Sequence, residues 1–128
     1  MKLSRSTFGA EFLQWFGLLG AALAWTGQLI VGFGVADASC GSGGRGLGLD
    51  RNTWEIVLIA VAGTLVLLAE SAALLVLRET RGLEHGDPPP WGRRHFFALA
   101  AAVANALFLG AILLSGLAVL HLSSCRPA

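Results

Sequence analysis

Residues 56–77 read IVLIAVAGTLVLLAESAALLVL, and this stretch decides the fold class. Its single ionisable residue is Glu70, and no proline interrupts it. A helix crossing the hydrocarbon of a bilayer needs about 20 predominantly apolar residues, and this run supplies them without help from its flanks. Two further stretches of the same kind lie on either side, at 12–36 and 96–120, and none of the three contains Asp, Arg or Lys. Each is long enough to cross with some tilt. The expected architecture is an all-α integral membrane protein, three transmembrane helices packed as a small bundle. The spans are expected at about 12–36, 55–78 and 95–121, joined by an outer loop at 37–53 and an inner loop at 79–94.

Composition agrees. Hydrophobic residues make up 55% of the chain, charged residues only 13%, and the mean hydropathy is +0.68, so the bilayer is the solvent for most of it. Three spans and two loops use the 128 residues and leave no soluble core of useful size, so 1–128 reads as a single membrane domain. The net charge of +1, with basic residues scattered, argues against a nucleic-acid partner. Lys2 and Arg5 followed by Ala36-Asp37-Ala38 has some features of a cleaved leader, and Ser39-Cys40 those of a lipoprotein site. The apolar core of about 25 residues is well beyond the usual 7–15, and Asp37 is a poor residue just ahead of a lipid-modified cysteine, so a retained helix is expected.

Cytoplasmic loops keep an excess of Lys and Arg. With the N-terminus inside, the inner side holds Lys2, Arg5, Arg78, Arg81, Arg93 and Arg94, and the outer side Arg45, Arg51 and Arg126. This two-to-one bias predicts N-terminus in and C-terminus out. Trp15 and Trp91 then fall near the inner interface and Trp54 near the outer one, where indoles prefer to sit. Asn52-Thr53 with Glu55 is expected to cap the second helix, and Arg78 suits its last turn. Gly82, Gly86 and Pro88-Pro89-Pro90 end it.

The orientation puts Cys40 and Cys125 on the same outer face, in the compartment where disulfides persist, and the two read most simply as one bridge. The competing reading is a copper or redox site formed by Cys40, Cys125 and His121, since thiolates suit Cu(I). No close Cys pair supports it, so no metal site is expected.

Each span has one conspicuous polar residue: Gln28, Glu70 and Asn105. Such groups should face protein or water, and an ionisable one is a functional candidate by default. The bland reading of Glu70 is a carboxyl hydrogen-bonded to Asn105 or Gln28, or to a partner's helix, that fixes the register of the bundle. The sharper one is a proton- or cation-coupling carboxylate in a small transporter. Small residues share the polar faces: Gly20, Ala24 and Gly32 with Gln28 on the first helix, Gly63 with Glu70 on the second, and Ala98, Ala102, Ala106 and Gly110 beside Asn105 on the third. They let helix backbones approach closely, so a compact bundle with a polar seam is expected. Trp25, mid-span among small residues, reads as a packing or lipid-facing side chain.

The chain carries no phosphate-binding loop, dinucleotide fingerprint, H-E-x-x-H or nucleophile elbow. His85, His95 and His121 lie in loops or near span ends, which leaves no transmembrane bis-histidine haem site. The expectation is a protein that is not an enzyme and needs no cofactor of its own.

Two patches carry a family resemblance. The first is Gln14-Trp15-Phe16-Gly17-Leu18-Leu19-Gly20-Ala21-Ala22-Leu23-Ala24-Trp25, continuing through Gln28-Leu29 and Gly32-Phe33 to Cys40. The second is Asn105-Ala106-Leu107-Phe108, then Ile112-Leu113 and Gly116-Leu117, ending at Cys125. Together they resemble a group of small three-span bacterial inner-membrane proteins encoded beside haem-copper cytochrome oxidase genes. Those proteins share a W-x-G-x-L-x-G-P-x-A-W motif in the first helix and a terminal Pro-Cys. Here Ala22 replaces the proline, Phe33 the usual tyrosine, and Ser124 the proline before the last cysteine. The resemblance implies a Cys40–Cys125 bridge and an accessory or assembly role near such an oxidase. The expected function is therefore a non-catalytic accessory subunit of a respiratory membrane complex, with the bilayer and other membrane subunits as partners. The alternatives are a small transporter component using Glu70 and an outer-face thiol or copper-handling protein.

Overall fold

In a computed structural model of the chain, residues 7–40, 48, 50–82, 89, 91–121 and 125 are described. They form three helices: α1 over Thr7–Cys40, α2 over Arg51–Glu79 and α3 over Trp91–His121. All three are long and apolar enough to cross a membrane, which makes this a multi-pass, all-helical protein. At about 1.5 Å per residue each helix is longer than the roughly 30 Å of hydrocarbon, so its ends reach into the interfacial layers. Lys2, Arg5, Arg45, His85, Gly86, Pro88, Pro90, Ser124 and Arg126 lie outside the described residues.

The ends of α2 are set by local chemistry. Its N-cap is Asp50, one position before the helix. The Asp50 carboxylate accepts from the Thr53 backbone N–H and from the Thr53 hydroxyl. This corrects the expected Asn52-Thr53 cap, since Asn52 and Thr53 are already helical. A carboxylate can meet orphan amides at the N-terminus and also complements the helix dipole. At the other end Thr80 caps the helix, its hydroxyl donating to the Val76 carbonyl at 2.9 Å. Gly82 then turns the chain with φ +88°, a left-handed conformation that favours glycine.

The helices alternate in direction, so the end of α1 and the end of α3 meet. There Cys40 and Cys125 form a disulfide, with Cα atoms 5.3 Å apart. All three helix pairs touch. The core between them is built from Ala21, Ala62, Val66, Ala69 and Ile112, with Phe16, Trp25, Ile59 and Phe108 packed against it. Trp25 therefore packs inside, its ring centroid 5.5 Å from that of Phe108.

Most large apolar side chains point the other way. Leu23, Phe33, Leu107 and Leu120 are each at least 70% exposed. A surface this apolar is costly in water and neutral against acyl chains, so the exterior is the part that the bilayer solvates.

The buried positions recur at alternating steps of three and four. On α2 they include Ala62, Val66, Ala69, Ala73 and Val76, and on α3 Ala98, Ala101, Asn105 and Ile112. This mean step near 3.5 keeps one seam facing the neighbours, as in left-handed bundles. It also corrects part of the expected ladder on α3. Ala98 is buried and Ala102 half-buried, but Ala106 and Gly110 are exposed. A step of four advances about 400° around a helix of 3.6 residues per turn, so each repeat drifts about 40° off the packed face.

Candidate functional site

The tightest point of the bundle is at Gly17. A Cβ placed there would lie 3.1 Å from the Ala73 backbone nitrogen and 3.3 Å from its Cα. Only glycine lets α1 and α2 approach this closely without a shift. Three residues on, a Cβ at Gly20 would meet the Ala69 methyl at 3.1 Å. Gly17 and Gly20 thus face Ala73 and Ala69, one turn apart on each helix.

The third helix joins at the same place. The Asn105 amide Nδ2 donates to the Gly17 carbonyl at 2.9 Å. Asn105 is 1% exposed and among the largest fully buried side chains. Its Oδ1 is buried with no hydrogen-bond partner among the described residues. Gly17 is therefore a junction where one helix is touched by the backbone of the second and held by an amide from the third. In a solvent without hydrogen-bonding capacity, such a bond costs little competition from water and fixes relative register.

This arrangement differs from the expected seam. No hydrogen bond joins Gln28, Glu70 and Asn105 to one another among the described residues. Glu70 is half-buried, and its Oε2 is enclosed without a partner among the described residues. Gln28, 6% exposed, lies further along α1 and also has a buried oxygen, Oε1, without a partner among the described residues. Among the other expected packing residues, Ala24 is half-buried against the core and Gly32 is buried with the Glu55 carboxylate 3.5 Å from where its Cβ would stand. Gly63 is half-buried and has nothing within 4 Å of its Cβ position. The sequence signal for Gly17 was present in its spacing of three from Gly20. What could not be read was that these two glycines, rather than Gly63 or Gly110, would face α2 at close range, Gly17 against the Ala73 backbone and Gly20 against the Ala69 methyl.

At the disulfide end both sulfurs are bonded to each other, so neither is a thiolate ligand in this state. Arg51 Nη1 approaches Cys40 Sγ at 3.9 Å. His121 is exposed, and among the described residues no three His, Cys, Asp or Glu side chains converge on a metal-sized site. At the opposite end the Thr80 hydroxyl and His95 Nδ1 lie 3.0 Å apart, linking α2 to α3. The Arg94 guanidinium sits over the Trp91 ring at 5.4 Å.

The site is thus a structural junction with two polar outliers, Glu70 and Gln28. Compared with protein-family models, curated proteins and solved structures, the chain matches none.

Proposed function

We propose that this protein is a non-catalytic accessory or assembly subunit of a membrane complex, acting through lateral helix contacts. On the resemblance described above, the complex is a respiratory haem-copper oxidase of the bacterial inner membrane. In this reading the N-terminus is cytoplasmic and the C-terminus lies outside, which places the Cys40–Cys125 bridge in an oxidising compartment. The observation that carries the reading is the outward face of α3. Ala106 and Gly110 are exposed there beside Leu107 and Leu114, and no side chain of the chain itself covers Gly110 among the described residues. Small residues on a lipid-facing surface let another subunit's helix approach closely.

The test is a gentle-detergent pull-down of the tagged chain with identification of what accompanies it. Co-purification of a haem absorbance band, lost on Gly110→Leu, is the expected result. A clean monodisperse homo-oligomer that carries no other subunit would sink the proposal. A reporter fused after Ala128 reads the orientation, and cytosolic activity of that reporter would overturn it.

One observation favours a second reading, a proton- or cation-coupled transporter component. The enclosed Oε2 of Glu70 lacks a partner among the described residues, and an ionisable group in a span is a candidate for coupling. Proton flux into liposomes that Glu70→Gln abolishes would support it, and flux indifferent to that substitution would remove it.

A further inference from the structure

The bridge between Cys40 and Cys125 is not a buried strut. Both cysteines are exposed. They tie the last residue of α1 to the segment that follows α3, with Cα atoms 5.3 Å apart.

Two features set the two halves of the bond apart. On the Cys40 side, Arg51 Nη1 points at Sγ from 3.9 Å. Arg51 opens α2, next to the N-cap Asp50, whose carboxylate is engaged by Thr53. Glu55, one turn on, forms no ion pair with Arg51 among the described residues, so the sulfur keeps a cation beside it. On the Cys125 side the backbone φ is +57°, in the left-handed region that residues other than glycine rarely enter. The bond holds Cys125 there, and opening it lets the residue relax.

Both features favour opening, and the first gives it a direction. A thiolate that attacks a disulfide bonds to one sulfur and expels the other, and the less basic sulfur leaves faster. A neighbouring guanidinium favours negative charge on sulfur. Cys40 is thus the leaving sulfur, and Cys125 the one attacked.

We propose that Cys40–Cys125 is an exchange-active disulfide that accepts two electrons from a dithiol protein at this end of the bundle. The incoming thiolate bonds to Cys125 Sγ, and the electron pair of the old bond departs on Cys40 Sγ, against Arg51. The donor's second thiolate then attacks its own bridged sulfur and expels Cys125. The donor leaves as a disulfide, and the two protons that it lost pass through solvent to Cys40 and Cys125. The donor is a dithiol because the packed helices keep Cys40 beside Cys125: after attack by a monothiol, Cys40 re-attacks and restores the bridge. Opening the bond unties the end of α1, while the Asn105–Gly17 hydrogen bond still joins α1 to α3. The exchange chemistry belongs to the chain itself and is the same whichever complex it joins.

The test treats the full, oxidised chain in detergent micelles with glutathione, quenches in acid early in the reaction, alkylates the free thiols and maps both cysteines by peptide mass spectrometry. Glutathione on Cys125 with alkylated Cys40 is expected to exceed the reverse pattern about three-fold or more. Arg51→Gln should bring the two patterns near parity and slow reduction by dithiothreitol about three-fold, since exchange rates vary less than linearly with sulfur basicity. Arg51→Lys, which keeps the charge, should retain both properties. Arg126→Gln, beside Cys125 in sequence, should change neither. Glutathione found equally on the two cysteines of the parent, or first on Cys40, overturns the proposal, as does a dithiothreitol rate indifferent to Arg51→Gln. Reduction by glutathione as complete as that by dithiothreitol at equal thiol concentration overturns the dithiol as donor. If Arg51→Gln fails to fold by circular dichroism, the parent's adduct pattern decides alone.

Discussion

Gly17→Ala tests the packing directly, because the new methyl has nowhere to go. Its Cβ would stand 3.1, 3.3 and 3.4 Å from the nitrogen, Cα and Cβ of Ala73, two of these being backbone atoms that cannot swing aside. α1 and α2 must part by a few tenths of an ångström. Overpacking of this kind costs about 1–3 kcal/mol. Against it, replacing glycine inside a helix gains up to about 1 kcal/mol. The same movement stretches the 2.9 Å bond from Asn105 to the Gly17 carbonyl, which in a membrane is worth about 0.6 kcal/mol. The net expectation is a loss of about 1–2 kcal/mol. Gly110→Ala is the internal control: the chemical change is identical, but nothing lies within 4 Å of the added methyl. That variant should be neutral or slightly more stable. The two should differ by about 2 kcal/mol, a factor of about 30 in the unfolding equilibrium. Unfolding by titrated SDS in mixed micelles reports it through the fluorescence of Trp25, which packs on Phe108 in the core. Both variants are kept oxidised, so that the disulfide contributes equally. A Gly17→Ala chain at least as stable as Gly110→Ala would refute the close approach of α1 to α2.

Further expectations concern the junction, the bridge and the cap. Asn105→Ala should lower stability by about 1–2 kcal/mol in the same SDS titration, combining a lost interhelical bond with an unfilled space. A midpoint unchanged from the parent would show that the Asn105 amide holds nothing. Unreduced protein should take up no thiol label, and two labelled cysteines would contradict the bridge. Reduction opens a loop spanning a separation of 85 residues, whose closure is worth about 4–5 kcal/mol in water. The loss should be smaller here, because the bilayer already confines the unfolded chain, and helical content by circular dichroism should persist. The Thr53 hydroxyl and then its backbone N–H hold the Asp50 carboxyl below its ordinary value of 3.8. The cap's contribution is therefore fully present above that value and is lost as pH falls through the depressed one. The protection factor of the first-turn amides of α2, taken relative to the intrinsic exchange rate at each pH, should fall in acid, and Asp50→Asn should flatten that dependence.

The three spans were legible in the sequence because a bilayer imposes one strict requirement. Backbone polar groups must be satisfied within the segment, so about 20 apolar residues in a row mean helix. The pairing of Cys40 with Cys125 followed from an odd number of crossings, which brings the end of α1 beside the end of α3. The faces were not legible. Nearly every residue in a span is apolar, so hydrophobic periodicity, which marks the buried side of a soluble helix, carries little contrast in lipid. A ladder of small residues at steps of four looked like a packing stripe on α3, yet it winds off the seam, and Ala106 and Gly110 end outside. The length and hydropathy of three apolar runs were enough to determine a multi-pass membrane chain of three helices. Only the tertiary structure decided that Asn105 bonds to the Gly17 carbonyl rather than to Glu70, and that Arg51 approaches the sulfur of Cys40. The reason is rotational. Length and hydropathy set where each helix crosses, while the angle at which it faces its neighbours is set by contacts between backbones, which no single span encodes.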